Sequence, residues 1–283
     1  MSHINSGYVG VDKRSSKGGV YGLRKHRQER CLGNLKSVIH TSKSKEQRIE
    51  DGEIGGEVPW LWLDANKING NNTSGNPSDG GAVSSWTSRS GSRVANQSSA
   101  SVQPDWEENE LNSLPVVDFT QSEFMLLPNE EWTADNLSVF LVIKHAGTYG
   151  FISRWAHSSS ARQWQIRDDI LYASDNGTST RTGLSYTLDH SSFHIDSFIK
   201  NGTSYAMQRD LSSYASNTEA NTATLHDSTQ YTVIGGQVTT TSGTTASYGA
   251  GGKLAELLIW DNNLSDADRD VVESYLSEKY NIS

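Results

Sequence analysis

The chain has 283 residues, of which 34% are hydrophobic and 20% charged, with a formal net charge of −9 and a single cysteine, Cys31. This length allows one large domain with an appendage, while a single cysteine excludes an intrachain disulfide and any zinc or iron–sulfur site built from thiolates. No window approaches about 18 apolar residues and the N-terminus lacks the apolar core of a signal peptide, so we expect no membrane span and cytosolic synthesis without secretory export.

The first 57 residues differ in charge from the rest of the chain. They hold 11 Lys and Arg and 7 Asp and Glu, a net of +4, which leaves 13 basic and 26 acidic residues, a net of −13, for residues 58–283. This segment is poor in large apolar residues and has no sustained periodicity, so alone it cannot bury enough surface to fold. We therefore predict an extended basic arm, residues 1–57, followed by one domain, residues 58–283.

The arm combines glycine-flanked extended pieces with clustered cations, which favours docking along a partner. Its candidate anchoring residues are Tyr8, Tyr21, Arg24, Lys25, Arg27 and Arg30. An acidic patch on a partner protein is the favoured counterpart, because charge complementarity orients docking. Nucleic acid is disfavoured by the sequence pI of about 5.4 and by Asp12 and Glu29 within the same stretch. The alternative is a solvated tail, or one folded back on its own domain.

Beyond the arm, short apolar runs bounded by turn residues predict β-strands. They are Trp62–Ala65 (WLDA), Leu114–Phe119 (LPVVDF), Leu137–Lys144 (LSVFLVIK) and Phe151–Trp155 (FISRW). Phe193–Ile199, followed by Asn201-Gly202, predicts a strand that enters a hairpin.

Residues 253–283 predict a strand, a turn and a capped amphipathic helix. Leu254–Trp260 is apolar at successive positions, which suits a strand covered on both faces. Ser265 can cap the helix, with Asp268 in the capping-box position. The expected apolar stripe of the helix is Ala267, Val271, Val272, Tyr275, Leu276 and Tyr280.

These blocks, in this order over residues 58–283, resemble the laminin-G-like, concanavalin A-like family. The closing segment is similar to the last strand and helix of that family, and Trp86–Gly91 (WTSRSG) resembles one of its turns, with Ser88 in place of the usual acid. The resemblance implies an all-β fold: an antiparallel two-sheet jelly-roll sandwich with a C-terminal α-helix, preceded by the extended arm.

The arm also resembles the docking segments of tailed-bacteriophage virion proteins. This implies a non-catalytic structural protein on the virion surface, a capsid decoration, head fibre or tail-fibre component, which displays a lectin-like domain. The expected partners are other virion proteins through the arm, further copies of the chain in a homo-oligomer, and cell-surface glycans, with no nucleic acid and no membrane. A glycoside hydrolase or lyase on the same fold and a cellular carbohydrate-binding module are the alternatives.

A candidate glycan-binding patch lies in the middle of the chain. Sugars present apolar C–H faces between hydroxyls, so their sites combine an aromatic ring with amide, carboxylate or guanidinium groups. The residues that offer this combination are Arg154, Trp155, Arg162, Trp164, Arg167 and Tyr172. Each Trp taken alone is better explained by packing in a sandwich.

The acidic residues lack the pattern of a glycoside hydrolase, which needs two carboxylates flanking the scissile bond, commonly on one strand so that alternate side chains share a face. The densest acidic runs, 50–53 and 107–110, lie in polar, loop-like sequence, so we predict no catalytic residues. Glu256 is the one acid inside an apolar run. Since relatives usually carry an acid there, we expect a structural hydrogen bond or ion pair with a Trp or Arg of a neighbouring strand, for example Arg154.

No metal or other cofactor is predicted. His190 and His194 would be about 13 Å apart on a strand, too far to share a metal. Some relatives bind calcium, and segment 64–79 offers oxygen ligands. It lacks, however, the D-x-N-x-N-G register with a closing Glu.

Overall fold

The computed structural model describes residues 43–146, 151–156, 162–167, 170–174, 182–185, 191–218, 225, 228–239, 246–247 and 249–283. The chain divides into two units, Met1–Ser44 and Lys45–Ser283. The predicted anchoring residues, Tyr8 to Arg30, lie outside the described residues. None of the helices in the described part of the chain is long and apolar enough to cross a membrane.

In the part of it that the structure describes, the second unit contains β-strands and two α-helices. The helices are α1 Lys45–Glu50 and α2 Asp266–Tyr280. The strands are β1 Leu61–Asp64, β2 Gly81–Ala82, β3 Ser85–Thr87, β4 Val94–Asn96, β5 Asp105–Leu111, β6 Leu114–Phe119, β7 Met125–Leu126, β8 Glu130–Trp132, β9 Leu137–His145, β10 Ile152–Trp155, β11 Arg162–Ile166, β12 Ile170–Ala173, β13 Thr182–Ser185, β14 His194–Asn201, β15 Ser204–Arg209, β16 Ser212–Thr218, β17 Ser228–Gln230, β18 Val233–Ile234, β19 Gln237–Val238, β20 Ala246–Ser247 and β21 Gly252–Trp260.

Two antiparallel sheets form the sandwich, which confirms the predicted fold class. The nine-stranded sheet has the order β16-β15-β14-β9-β21-β6-β5-β2, and β1 pairs with β21 beside β6. The eight-stranded sheet has the order β13-β12-β11-β10-β18-β7-β4-β3. Two small sheets, β8 with β17 and β19 with β20, complete the described strands.

Strand β21 is apolar on both faces because both are covered, as predicted. Leu257 and Ile259 pack between the two sheets, whereas Leu258 and Trp260 contact a second apolar cluster on the outer face of the nine-stranded sheet. A register shift between Leu254 and Glu256 breaks the strict alternation. Glu256 thereby comes to the outer face, beneath α2.

Helix α2 covers that outer face. Ser265 Oγ accepts from Asp268 N at 3.2 Å, as the predicted cap requires. Val272, Leu276 and Tyr280 are buried against the sheet. Ala267, expected in the apolar stripe, is exposed, because it lies in the first turn.

The compact unit begins at Lys45, which corrects the boundary expected at 57/58. Ile49 and Ile54 are buried in the cluster beneath α2, and Lys45 pairs with Glu278 on that helix. Helix α1 has only six residues, of which one apolar residue, Ile49, is buried. Its sequence therefore shows too little hydrophobic periodicity to predict a helix. The acidic run 107–110 also lies in a strand, β5, rather than a loop.

Candidate functional site

The structure divides the predicted glycan patch between two environments. Trp164 and Arg154 are register partners on β11 and β10. Trp164 packs in the core between the sheets, with its ring 5.7 Å from that of Trp132. Trp155 and Trp164 are both 0% exposed, so neither offers a face to a sugar. The patch is therefore wrong as a surface platform: the strand alternation that places Ile152 and Ile166 in the core also places Trp164 there.

Arg154 has a structural role in the same region. Its Nε donates to Gln163 Oε1 at 2.8 Å, its Nη1 to Thr232 Oγ1 at 2.8 Å, and its Nη2 to the carbonyl of Glu130 at 2.7 Å. Burial lowers the pKa of Arg154 to about 10. The guanidinium thus ties β10 to β11, β8 and the segment before β18.

The other four patch residues do come together, but as packed pairs. The rings of Trp155 and Tyr172 are 6.1 Å apart, and the guanidinium of Arg162 lies 5.8 Å from the Trp155 ring. Arg167 lies 5.6 Å from the Tyr172 ring, and Tyr172 is only 8% exposed. Their closeness in sequence reflects hairpin packing rather than an open site.

Glu256 is held by four donors under α2. Its Oε1 accepts from Trp62 Nε1 at 2.6 Å and from the Tyr275 hydroxyl at 2.9 Å. Its Oε2 accepts from Lys279 Nζ at 2.7 Å and from the Tyr280 hydroxyl at 2.9 Å. Complete burial raises the pKa of Glu256, while the Lys279 ammonium opposes that rise. The expected Trp partner is confirmed.

Arg154 is not a partner of Glu256, since it lies on the other sheet. The cation that extends the network is Arg89, whose Nη1 donates to Asp64 Oδ2 at 3.1 Å. Lys279 Nζ also donates to Asp64, at 2.7 Å, and Arg89 pairs with Glu46 and Glu50 of α1. The network joins α1, α2 and β1, and its buried carboxylates are saturated by the protein itself.

An open groove lies on the outer face of the eight-stranded sheet. Its volume is ≈ 550 Å³, and its lining residues are Asn96, Gln97, Ser98, Ser99, Val102, Phe124, Leu126, Leu127, Pro128 and Tyr231. Along β7 and β18, Met125 and Ile234 pack in the central core, while Leu126 and Val233 contact the outer apolar cluster. Leu126 is the register partner of both Asn96 and Val233, so the floor spans three strands.

The polar rim of the groove is fixed by Gln97. Its Nε2 donates to the carbonyl of Phe124 at 2.9 Å, and its Oε1 accepts from Ser99 N at 3.0 Å. Gln103 Nε2 donates to the carbonyl of Gln97 at 2.6 Å, which secures the same loop. Ser98 stays exposed at the rim, and Tyr231 is half-buried at the edge of the floor. Sequence reasoning missed this groove because its residues come from three separate segments without a motif.

A second groove, of ≈ 500 Å³, runs beside the start of α2. It is lined by Ile199, Asn201, Ser204, Tyr205, Ala206, Ser216, Thr218, Asn263, Leu264, Ser265, Asp266 and Arg269. Tyr205 packs in the central core, so this groove offers hydroxyl and amide groups without an exposed ring. It lacks the stacking surface that sugar recognition favours.

No group of three or more His, Cys, Asp or Glu side chains among the described residues is placed to hold a metal ion. In segment 64–79, Asp64 Oδ1 accepts from Asn66 N at 3.0 Å and Asn76 Oδ1 accepts from Ile68 N at 3.2 Å. These oxygens fold the loop onto itself.

No protein-family model and no curated protein matches the sequence. In structure, the chain is similar to the botulinum neurotoxin serotype D ligand binding domain in complex with N-acetylneuraminic acid, with 11% identity and a TM-score of 0.47 over 82% of this chain and 53% of that one. It is also similar to the Ruminococcus gnavus IT-sialidase CBM40 bound to α2,3-sialyllactose, with 12% identity and a TM-score of 0.36 over 50% and 83% of the two chains. A Trypanosoma rangeli sialidase gives 11% identity and a TM-score of 0.44 over 88% and 40%. The chain spans about half the length of the first of these structures, and with TM-scores below 0.5 none of these similarities is evidence for a function.

Proposed function

We propose that residues 45–283 form a non-catalytic glycan-binding module whose ligand lies in the groove on the outer face of the eight-stranded sheet. The observation that carries this proposal is the lining of the groove. An apolar floor of Val102, Phe124 and Leu126 meets a half-buried Tyr231 and a rim of exposed hydroxyl and amide groups. This is the combination that a sugar, with C–H faces between hydroxyls, requires.

Binding is favoured over hydrolysis by the chemistry of the same lining. Glycosidases flank the scissile bond with two carboxyl groups, one raised in pKa to act as an acid. No Asp or Glu is among the residues that line the groove in the described part of the chain. Glu256 and Glu273, two buried acids whose pKa is raised, lie away from the groove, the first on the other sheet under α2 and the second on α2 itself. The groove can therefore orient a sugar without activating its glycosidic bond.

The proposed setting is the virion surface of a tailed phage, with the N-terminal unit as anchor. Residues 1–44 carry 9 Lys and Arg and 2 Asp and Glu, a net of +7, which leaves 15 basic and 31 acidic residues, a net of −16, for residues 45–283. Such a charged segment suits docking to an acidic partner. A single sugar site of this kind binds on the order of millimolar to tens of micromolar, and many copies on a particle would supply the missing avidity.

A glycan array tests the binding proposal when it is probed with the protein in multivalent form. We expect binding that Tyr231→Phe retains, since the ring remains, and that Tyr231→Ala weakens. Both variants should keep the melting temperature of the wild type within a few degrees, because Tyr231 is only half-buried. A failure of the wild type to bind any glycan, or equal binding by Tyr231→Ala, would refute the groove as the site.

A further inference from the structure

We infer a second, independent sugar-stacking site at the hairpin that joins β15 to β16, residues 209–214. Among the residues that the structure describes, the exposed large apolar side chains are Val58, Leu211 and Tyr214, and two of these lie in this hairpin. Tyr214 is 46% exposed and is the one aromatic residue in that group. An accessible ring is the element that the predicted patch at Trp155 and Trp164 lacks.

A β-bulge presents the ring of Tyr214. Met207 is the register partner of Ala215, and Gln208 that of Ser213, so Tyr214 is the extra residue of β16. Strand β16 is the edge of the nine-stranded sheet. A bulge at an edge re-aims the side chain that it carries, and such bulges recur beside functional sites.

A fixed cation backs the ring. The Arg209 guanidinium lies 5.3 Å from the centroid of the Tyr214 ring. Arg209 Nε and Nη2 bind Asp196 Oδ1 and Oδ2 at 2.7 and 2.8 Å, and His145 Nε2 lies 3.3 Å from Asp196 Oδ2. Burial would raise the pKa of Asp196, but the hydrogen bonds of His145 and Arg209 outweigh it and lower that pKa. The carboxylate therefore stays charged and holds the guanidinium in place under the ring.

One of the two turn residues, Leu211, is poorly suited to the conformation of the turn. Asp210 and Leu211 have φ of 49° and 63°, in the left-handed region. Asn, Asp or Gly suits such a two-residue turn, so Asp210 is well placed, whereas the branched aliphatic side chain of Leu211 is strained in it. Leu211 is also 42% exposed. Strained backbone conformations of this kind cluster at ligand-binding and active sites.

The chemistry of the hairpin fits an uncharged pyranose. The accessible part of the Tyr214 ring can stack on the C–H face of a sugar, and the cation behind it fixes the ring in advance of binding. Leu211 supplies an apolar contact for a substituent such as an acetamido methyl group. The site lies on β16 at the edge of the nine-stranded sheet, while the groove lies near β3 and β4 at an edge of the eight-stranded sheet. The hairpin site and the groove can therefore be tested independently of each other.

Saturation-transfer NMR on the full chain tests this site, with the groove blocked by Ser98→Arg. The probes are lactose, cellotriose and chitotriose at millimolar concentrations. We expect transfer to the C–H protons of at least one probe, retained in Tyr214→Phe and weakened at least about tenfold in Tyr214→Thr, which keeps β-propensity without a ring. Leu211→Gly should raise the melting temperature and yet weaken binding, which a purely structural role would not do.

Two results would overturn the site. One is the absence of saturable transfer from any of the three probes in the Ser98→Arg protein. The other is equal affinity of the Tyr214→Phe and Tyr214→Thr proteins, with both folded by circular dichroism. If only Ser98→Arg abolishes binding, the sugar binds in the groove. If only Tyr214→Thr abolishes binding, the sugar binds at the hairpin.

Discussion

Buried charges in this sandwich serve structure, and Glu256 shows why. Desolvation of a carboxylate is costly, and it is offset only when its oxygens are fully hydrogen-bonded. Trp62, Tyr275, Tyr280 and Lys279 supply those bonds from β1 and α2. Glu256 thereby fixes the position of the C-terminal helix on the sheet.

Glu256→Gln should lower the free energy of unfolding by about 3–5 kcal/mol, because it leaves Lys279 buried beside fewer carboxylates. The double variant Glu256→Gln with Lys279→Met should lose less than the sum of the single losses, with a coupling of about 0.5–3 kcal/mol. Chemical denaturation of the four proteins measures this cycle. Additive losses would contradict the proposed pairing.

The same residues show what sequence reasoning can resolve at this scale. An acid inside the apolar run 254–260 predicts a buried partner, and Trp62 is one. Which residue is the partner depends on which strands are neighbours in the sheet, and this cannot be read from the sequence, so the prediction of Arg154 as the partner was wrong. For Trp155 and Trp164, residue type predicts a ring but not its exposure, since packing and binding use the same side chains.

Among the elements, α2 was predictable because its signals are local. A capping Ser265, an apolar stripe and Asn281 at the left-handed C-terminal position specify both ends. Helix α1 was not, because its six residues depend on contacts with α2 and Arg89 that are distant in sequence. Strand β5 was obscured because four of its seven residues are acidic and none of the four is buried.

Truncating the helix stripe tests the docking of α2. Val272→Ala and Leu276→Ala should each cost about 2–5 kcal/mol, because both side chains are fully buried. Asp270→Ala, at an exposed position of the same helix, is the matched control. Thermal unfolding measures the effect. A double Ala variant that melts within about 1–2 °C of the wild type would mean that the helix is not docked.

The chain contains a basic N-terminal unit and an acidic sandwich unit. The boundary between them determines which N-terminal truncations leave the sandwich intact. A chain that begins at Lys45 should have the same melting temperature as the full-length protein. One that begins at Val58 should melt lower, since it loses the buried Ile49 and Ile54, each worth about 1.5–3 kcal/mol. Equal melting of the two shortened chains would show that residues 45–57 do not belong to the sandwich.

At this scale the strand patterns and the helix cap predicted short strands and a closing helix, because those signals are local, whereas the two-sheet architecture was implied by the resemblance of the ordered blocks to a known family. The groove could not be predicted, since Asn96, Phe124 and Tyr231 become neighbours only when β4, β7 and β18 pair.

Equilibrium titration of lactose, cellotriose and chitotriose into matched rim variants tests the proposed module most directly. Ser98 lines the groove, while Ser101 is exposed nearby and outside the lining. With Tyr214→Thr present to silence the hairpin, we predict a dissociation constant on the order of millimolar to tens of micromolar for at least one sugar. Ser98→Arg should weaken it at least about tenfold and Ser101→Arg less than about twofold. Equal affinity in the two Arg variants, or no binding before either is introduced, would contradict a glycan site in the groove.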